Sequence, residues 1–408
     1  MGPEHLFDGL CFLLWLASLL VLLVGAFQSQ AGRWLRLLSA LLLLPALCTS
    51  LQILARFPDY TRVWIDVSSV ALLLLLAQRN RWLSMWVASS ALVSRIRDWL
   101  LECCMTMRWS LIKPRLAHAR DQVWAEGDRI RYPRVFRSIL SHSDAAEMIR
   151  DRLLAPTPLA IARMGRTEGR ILGEWKFRRS RYSSKSYYQA HRYSGIFPVN
   201  PDLLDAFAGC YGAALSELDL LAFWPTEFQA KLVAGLESRP HLVDRLDLDP
   251  NPWSIALAGR RVLVVHPFRE TILSQYENQR ANLFADPRVL PGFELQVIPA
   301  PQCAGGRTEG FANWFDAYHS LEEKVLAADF DVAIIGCGAF GLPLAAAIKR
   351  SGAKAIHMGG VTQVLFGVTG RRWLDVPMYQ HLFNEYWTRP TGTDVVQGRE
   401  QVDSACYW

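Results

Sequence analysis

Paired cysteines are missing from this chain of 408 residues. Its eight cysteines, at positions 11, 48, 103, 104, 210, 303, 337 and 406, form no C-x-x-C pair and keep no zinc-like spacing to histidine. That excludes a disulfide framework and a zinc finger or ribbon. Long basic blocks are missing too, so the net charge of +6 speaks for an anionic membrane surface and not for nucleic acid. The opening residues MGPEHLFD hold no Lys or Arg, and the apolar run behind them is too long for a cleaved leader, so the first segment is expected to be retained. Leu6 stands where a myristoylation signal needs Ser or Thr.

Hydrophobic length, by contrast, is abundant in the first quarter. Leu6–Phe27 and Trp34–Ala55 are each 22 residues long and nearly all apolar, enough to cross a hydrocarbon core that needs about 20 helical residues. Val63–Ala77 is a third span, with Asp66 at its outer end. The basic residues that follow, among them Arg79, Arg81, Arg95, Arg97, Arg108, Lys113 and Arg115, place the C-terminal part in the cytoplasm by the positive-inside rule. Residues 82–124 mix Trp, Leu and Arg at helical spacing, as an interfacial amphipathic helix does. The expected organisation is a transmembrane anchor over 1–80, an interfacial helix and basic connector over 81–137, and an α/β domain over 138–408.

The stretch DVAIIGCGAFGLPLAAAIKRSGAKAIHMGG, from Asp331 to Gly360, predicts a buried parallel strand, a glycine loop, a helix and a second strand. Gly336, Gly338 and Gly341 have the G-x-G-x-x-G spacing that brings a backbone close to a diphosphate at a helix N-terminus. A dinucleotide site would want Asp or Glu about 20 residues further on. This chain offers Ala355, Ile356, His357, Met358, Gly359 and Gly360 there, which ranks NAD or NADP below a mononucleotide or nucleotide sugar.

Upstream, strands are expected over 158–164, 218–223, 262–265 and 293–298, with helices over 144–154, 201–216 and 313–328, one through Gln275 to Arg280, and one beginning near Gly169. Such alternation argues a mainly parallel sheet. Ligands then sit beyond the carboxyl ends of the strands. That edge would gather Arg163, Gly165 and Glu168, then His266 and Arg269, then Gln302, the three loop glycines, and His357, Gly359, Gly360 and Gln363. Arg163, His266 and Arg269 suit a phosphate grip, Glu168 a general base or metal carboxylate, and His357 and Gln363 donor contacts, with Glu168 and His266 the candidates for catalytic proton transfer. The run KFRRSRYSSKSYY, 176–188, is expected as a solvated loop, a diphosphate clamp or a lipid-headgroup contact. The Asp-x-Asp triplets at 247–249 and 329–331 fall at the amino edge, away from the crevice, and no metal is assigned to them.

In order and context these residues resemble the GT-D-type bacterial glycosyltransferases. Arg163, Met164, Gly165, Arg166, Thr167 and Glu168 look like that group's Arg-x-Gly-Asp-Gly-Glu strand-end motif, and Gly336 to Gly360 like its late glycine loop, helix and strand. The resemblance covers roughly residues 158–373. It implies a Rossmann-like α/β domain behind the helical anchor, donor binding by the glycine loop and a carboxylate role for Glu168. It further implies transfer of a sugar from a nucleoside-diphosphate donor to a lipid-linked or surface-polysaccharide acceptor at the bacterial inner membrane. The chain departs from the pattern at Arg166, which occupies the position of the metal-binding aspartate, so Glu168 is the sole candidate for a divalent metal. The alternatives are an NAD(P)-dependent oxidoreductase and a non-catalytic nucleotide-binding scaffold in polysaccharide assembly.

Overall fold

The computed structural model describes residues 126–408 apart from 225, 245, 247, 249, 250, 375, 403 and 404. The expected spans Leu6–Phe27, Trp34–Ala55 and Val63–Ala77, the interfacial helix and the first Asp-x-Asp triplet lie outside the described residues. Among the described residues no helix is long and apolar enough to cross a membrane.

Seven strands form one all-parallel sheet: β1 (Leu159–Arg163), β2 (Leu220–Ala222), β3 (His241–Val243), β4 (Arg261–Val265), β5 (Glu294–Ile298), β6 (Val332–Ile335) and β7 (Lys354–His357), in the order β3-β2-β1-β7-β6-β4-β5. Helices cover both faces, as a buried parallel sheet requires. Alternation of side chains along each strand divides the core in two. Ala160, Ala162, Leu263, Val265, Ala333 and Ile335 face one layer, with the helices Arg166–Arg178, Pro201–Leu215 and Gly341–Arg350. Leu159, Ile161, Val262, Val264, Val332 and Ile334 face the other, with His142–Leu154, Arg269–Gln279 and the C-terminal segment.

The connection after β4 leads outward to β5, whereas the one after β6 leads back toward β7, so the strand order reverses between β4 and β6. That switch point opens a crevice at the carboxyl edge. Gly336 N–H still bonds the Val265 carbonyl at 2.8 Å, which carries the β4–β6 register into the glycine loop. The two sheet margins differ. β5 presents exposed Glu294 and Gln296, which discourages edge pairing. β3 is covered by an N–H from Leu140 to the Leu242 carbonyl at 2.8 Å.

Two expectations are corrected. The run 176–188 is not one loop: its beginning completes the helix Arg166–Arg178, and Ser183 then caps a further helix, Ser184–Arg192, by accepting the Ser186 N–H. The earlier of these helices starts at Arg166 and not near Gly169, because Gly165 supplies the extended N-cap backbone. The strand β3 was not anticipated. As expected, Asp329 and Asp331 sit at the amino edge, where both pair with Arg261.

Candidate functional site

Four adjacent strands, β1, β7, β6 and β4, bring their carboxyl ends together. At about 4.8 Å per strand, Arg163 and His266 stand three strand spacings apart along this edge. One phosphate cannot reach both backbones, so the expected common grip of Arg163, His266 and Arg269 is divided between two ends of the crevice.

At the β1 end, Arg163 is half-buried and forms no hydrogen bond or ion pair with any described residue. Its stem crosses Gly359, where a Cβ would lie 2.8 Å from the Arg163 Cδ; Gly359 has φ +64°. Glu168, in the first turn of the Arg166 helix, is 8 % exposed and likewise forms no hydrogen bond or ion pair among the described residues. Its carboxylate folds over Gly165, within 1.9 Å of where a Cβ would stand. A capping box would send the N-cap N–H to that carboxylate, but Gly165 N–H donates to the Tyr211 hydroxyl at 3.3 Å. Tyr211 is fully packed beneath this loop and was not anticipated; its place on an apolar helix carries no signal of the role.

The three loop glycines answer to different demands. Gly336 is wedged between His266 and Thr362, with an added Cβ 2.5 Å from the His266 Cδ2 and 2.7 Å from the Thr362 Cβ. Gly341 lies on the His357 ring, 2.1 Å from two of its atoms by the same construction. Gly338 is the exposed tip, with φ +60° and nothing within 4 Å of where its side chain would point. No side chain caps the loop or the Gly341 helix behind it, so this N-terminus keeps its positive end for a ligand.

The loop is held rigidly from below. The Ile335 carbonyl accepts from Met358 N–H at 3.0 Å, Thr362 Oγ1 at 3.1 Å and His357 Nδ1 at 3.2 Å. His357 is 4 % exposed, and burial, aided by the charge of Arg163, pushes its pKa down to about 3. It is a neutral support under the loop, which removes it from the expected ligand contacts. Gln363 is removed in the same way. It is fully buried and donates to the Val368 and Tyr407 carbonyls, both at 3.2 Å. Gly360 packs against Tyr407 and Trp373.

Gly341→Val would drive two methyl groups into the His357 ring. Overpacking of this kind costs about 1–3 kcal/mol, and thermal unfolding should register a fall of several degrees in Tm. An unchanged Tm would mean that the ring moves aside and supports nothing.

At the β4 end, His266 is 3 % exposed and its Nδ1 accepts the Phe268 N–H at 3.0 Å, so the ring proton is on Nε2. Burial holds its pKa down at about 3. Near neutrality His266 is a hydrogen-bond donor and not the acid–base catalyst considered from the sequence. Arg269 is exposed, and Gln302, half-buried after β5, makes no hydrogen bond to a described residue. The helix behind Arg269 already has its anion. The buried carboxylate of Asp394 accepts from Thr271 N–H at 2.7 Å and Glu270 N–H at 3.4 Å. Trp408 holds that segment down, meeting Phe268 edge-on with ring centres 5.5 Å apart and donating to the Asp394 carbonyl at 2.9 Å. Replacing Asp394 by Ala removes a cap of about 1 kcal/mol; amide exchange at Glu270 and Thr271 should quicken by roughly fivefold, whereas unaltered exchange would deny the capping role.

Among the described residues no three His, Cys, Asp or Glu side chains gather as a metal site. Glu168 beside Arg163 does not fit a divalent cation. The chain matches no family model, no curated protein and no solved structure.

Proposed function

We propose that the chain is a membrane-anchored glycosyltransferase that moves a sugar from a nucleoside-diphosphate donor to a lipid-linked or surface-polysaccharide acceptor. The observation that carries this reading is the pairing, at one end of the crevice, of an unpartnered guanidinium with an unpartnered buried carboxylate. Arg163 and Glu168 both act electrostatically on the Tyr211 hydroxyl but do not bond each other. Neither group is engaged by the protein, so both are available to a ligand. A diphosphate suits Arg163 and the open Gly338 loop; hydroxyl groups suit Glu168.

The chemistry then follows. The acceptor hydroxyl oxygen attacks the anomeric carbon and its proton passes to Glu168. The bond from that carbon to the diphosphate oxygen breaks, and the negative charge gathering on the leaving group faces Arg163 and the loop amides. With Arg166 in place of a metal-binding aspartate, fixed cations and N–H groups would do what a divalent ion does elsewhere. The spans 6–27 and 34–55 would keep the enzyme at the inner membrane with this domain in the cytoplasm. An oxidoreductase is the weaker reading, because β7 ends in buried His357 followed by Gly359 and Gly360, with no acid for a ribose.

The test is a thermal-shift series on the purified full chain with uridine, guanosine and cytidine diphosphates, their sugar derivatives, NAD and NADP, with and without manganese. Stabilisation by one nucleoside diphosphate without manganese is expected, and should be lost in both Arg163→Gln and Gly338→Val. Stabilisation by NAD or NADP alone would replace this reading with the oxidoreductase, and nucleotide binding without transfer would leave the scaffold.

A further inference from the structure

The basic run that begins at Lys176 takes no part in the crevice. It ends the Arg166 helix at the side away from the carboxyl edge and joins a larger surface. The helix Gln229–Ala234 packs against both the Arg166 helix and the short helix Pro133–Arg137. Lys231 Nζ lies 3.9 Å from the centre of the Phe177 ring, the Arg178 guanidinium 5.1 Å from that of Phe228, and the Arg129 guanidinium 5.7 Å from that of Phe136. These contacts make one continuous face from three pieces of chain.

Its charge is unbalanced. Lys176, Arg179 and Arg181 are exposed and form no ion pair or side-chain hydrogen bond with a described residue, and the same holds for Arg134 and Arg137. Two of the carboxylates nearby are already engaged: buried Glu174 accepts from Arg178 at 3.1 Å and from the Ser183 N–H at 3.0 Å, while Glu227 holds Arg170 and Lys185; Glu126 and Asp128 stand on the Ile130 segment itself. Large apolar side chains stand among the surplus cations, with Ile130 78 % and Trp175 37 % exposed. The core of a protein–protein interface is depleted in lysine. Cations around exposed Ile and Trp are what an anionic lipid interface selects.

We infer that this face lies on the anionic headgroups of the bilayer, with Ile130 and Trp175 entering the acyl boundary. This rests on the membrane-anchored reading and adds to it the side of the domain that meets lipid. The Arg166 helix has 13 residues, so at 1.5 Å per residue its N-terminal end, with Glu168 and the crevice, stands about 20 Å from its lipid-facing end. An acceptor would have to extend a polar chain that far from its lipid.

The test uses the full chain reconstituted in nanodiscs of phosphatidylcholine, with or without about a third phosphatidylglycerol, and follows amide hydrogen exchange. Peptides over 126–137 and 174–182 should exchange several-fold more slowly in the anionic discs. The difference should vanish at about 0.5 M salt, where screening acts within a few Å, and in the combined variant Lys176→Glu, Arg179→Glu, Arg181→Glu at unchanged Tm. Ile130→Ser, which alters no charge, should weaken it in part. Equal exchange in both discs would overturn the inference and leave the anchor standing. Failure of the chain to enter any disc would overturn the anchored reading instead, and protection indifferent to salt and charge reversal would assign the face to something other than headgroups.

Discussion

Glu168→Gln should lower glycosyl transfer by about 10²- to 10⁴-fold, the usual contribution of a positioned general base, while Tm and nucleotide-induced stabilisation stay near those of the parent. The substitution keeps the shape that folds over Gly165 and removes the capacity to take a proton. The carboxylate sits in the first turn of the Arg166 helix, at the carboxyl edge of the sheet. Turnover of a labelled nucleotide sugar, measured beside nucleotide binding on the same preparation, separates the two roles. A variant that transfers within tenfold of the parent would reduce Glu168 to a helix-terminal charge. A variant that no longer binds donor would move it from proton acceptor to donor ligand.

Acid should unfold the domain through two buried imidazoles. His266 and His357 both have pKa values of about 3 in the folded protein, pushed down chiefly by burial, against about 6.5 in an unfolded chain. Below about pH 6.5 the unfolded state therefore binds more protons than the folded one, and stability falls as pH falls. The loss begins near 6.5 and runs until about 3, at about 1.4 kcal/mol per pH unit for each ring. Between pH 7 and pH 5 the two together should remove about 4 kcal/mol, a large part of a typical domain stability. Urea unfolding across that interval, which lies above most carboxylate titrations, reads the slope directly. His266→Asn should halve it even though it also lowers the starting stability. A slope that stays the same in that variant would show that the ring is charged or solvated in the native protein.

The parts of this fold that could be read from the sequence are those whose side chains announce their surroundings by type alone. The unbroken apolar runs of β4 and β6, and helix signals such as Asn313, whose side chain accepts from the Phe315 and Asp316 N–H groups, place their elements within a residue or two. β3 escaped because it has three residues and begins with exposed His241. The helix Ser184–Arg192 escaped because its polar composition imitates a loop, although Ser186, Gln189 and Ala190 face inward. At the site, position was legible and direction was not. His357 does end β7 and Gln363 does stand beyond it, as their numbering implies, but the backbone turns both inward. Asp394 lies 123 residues from the Thr271 N–H that it caps, and nothing in its own neighbourhood records the partnership.

That borrowed cap has a directional consequence. Of the two helices that point their positive ends toward the switch point, the one behind Arg269 is neutralised from within by Asp394, while the one behind Gly338 is left bare. On the proposed reading a polar molecule entering the crevice would meet an uncapped helix end on the β6 side only. On that reading a donor would lie with its phosphates toward Gly338 and Arg163 and its uncharged end toward the neutral Nε2–H of His266.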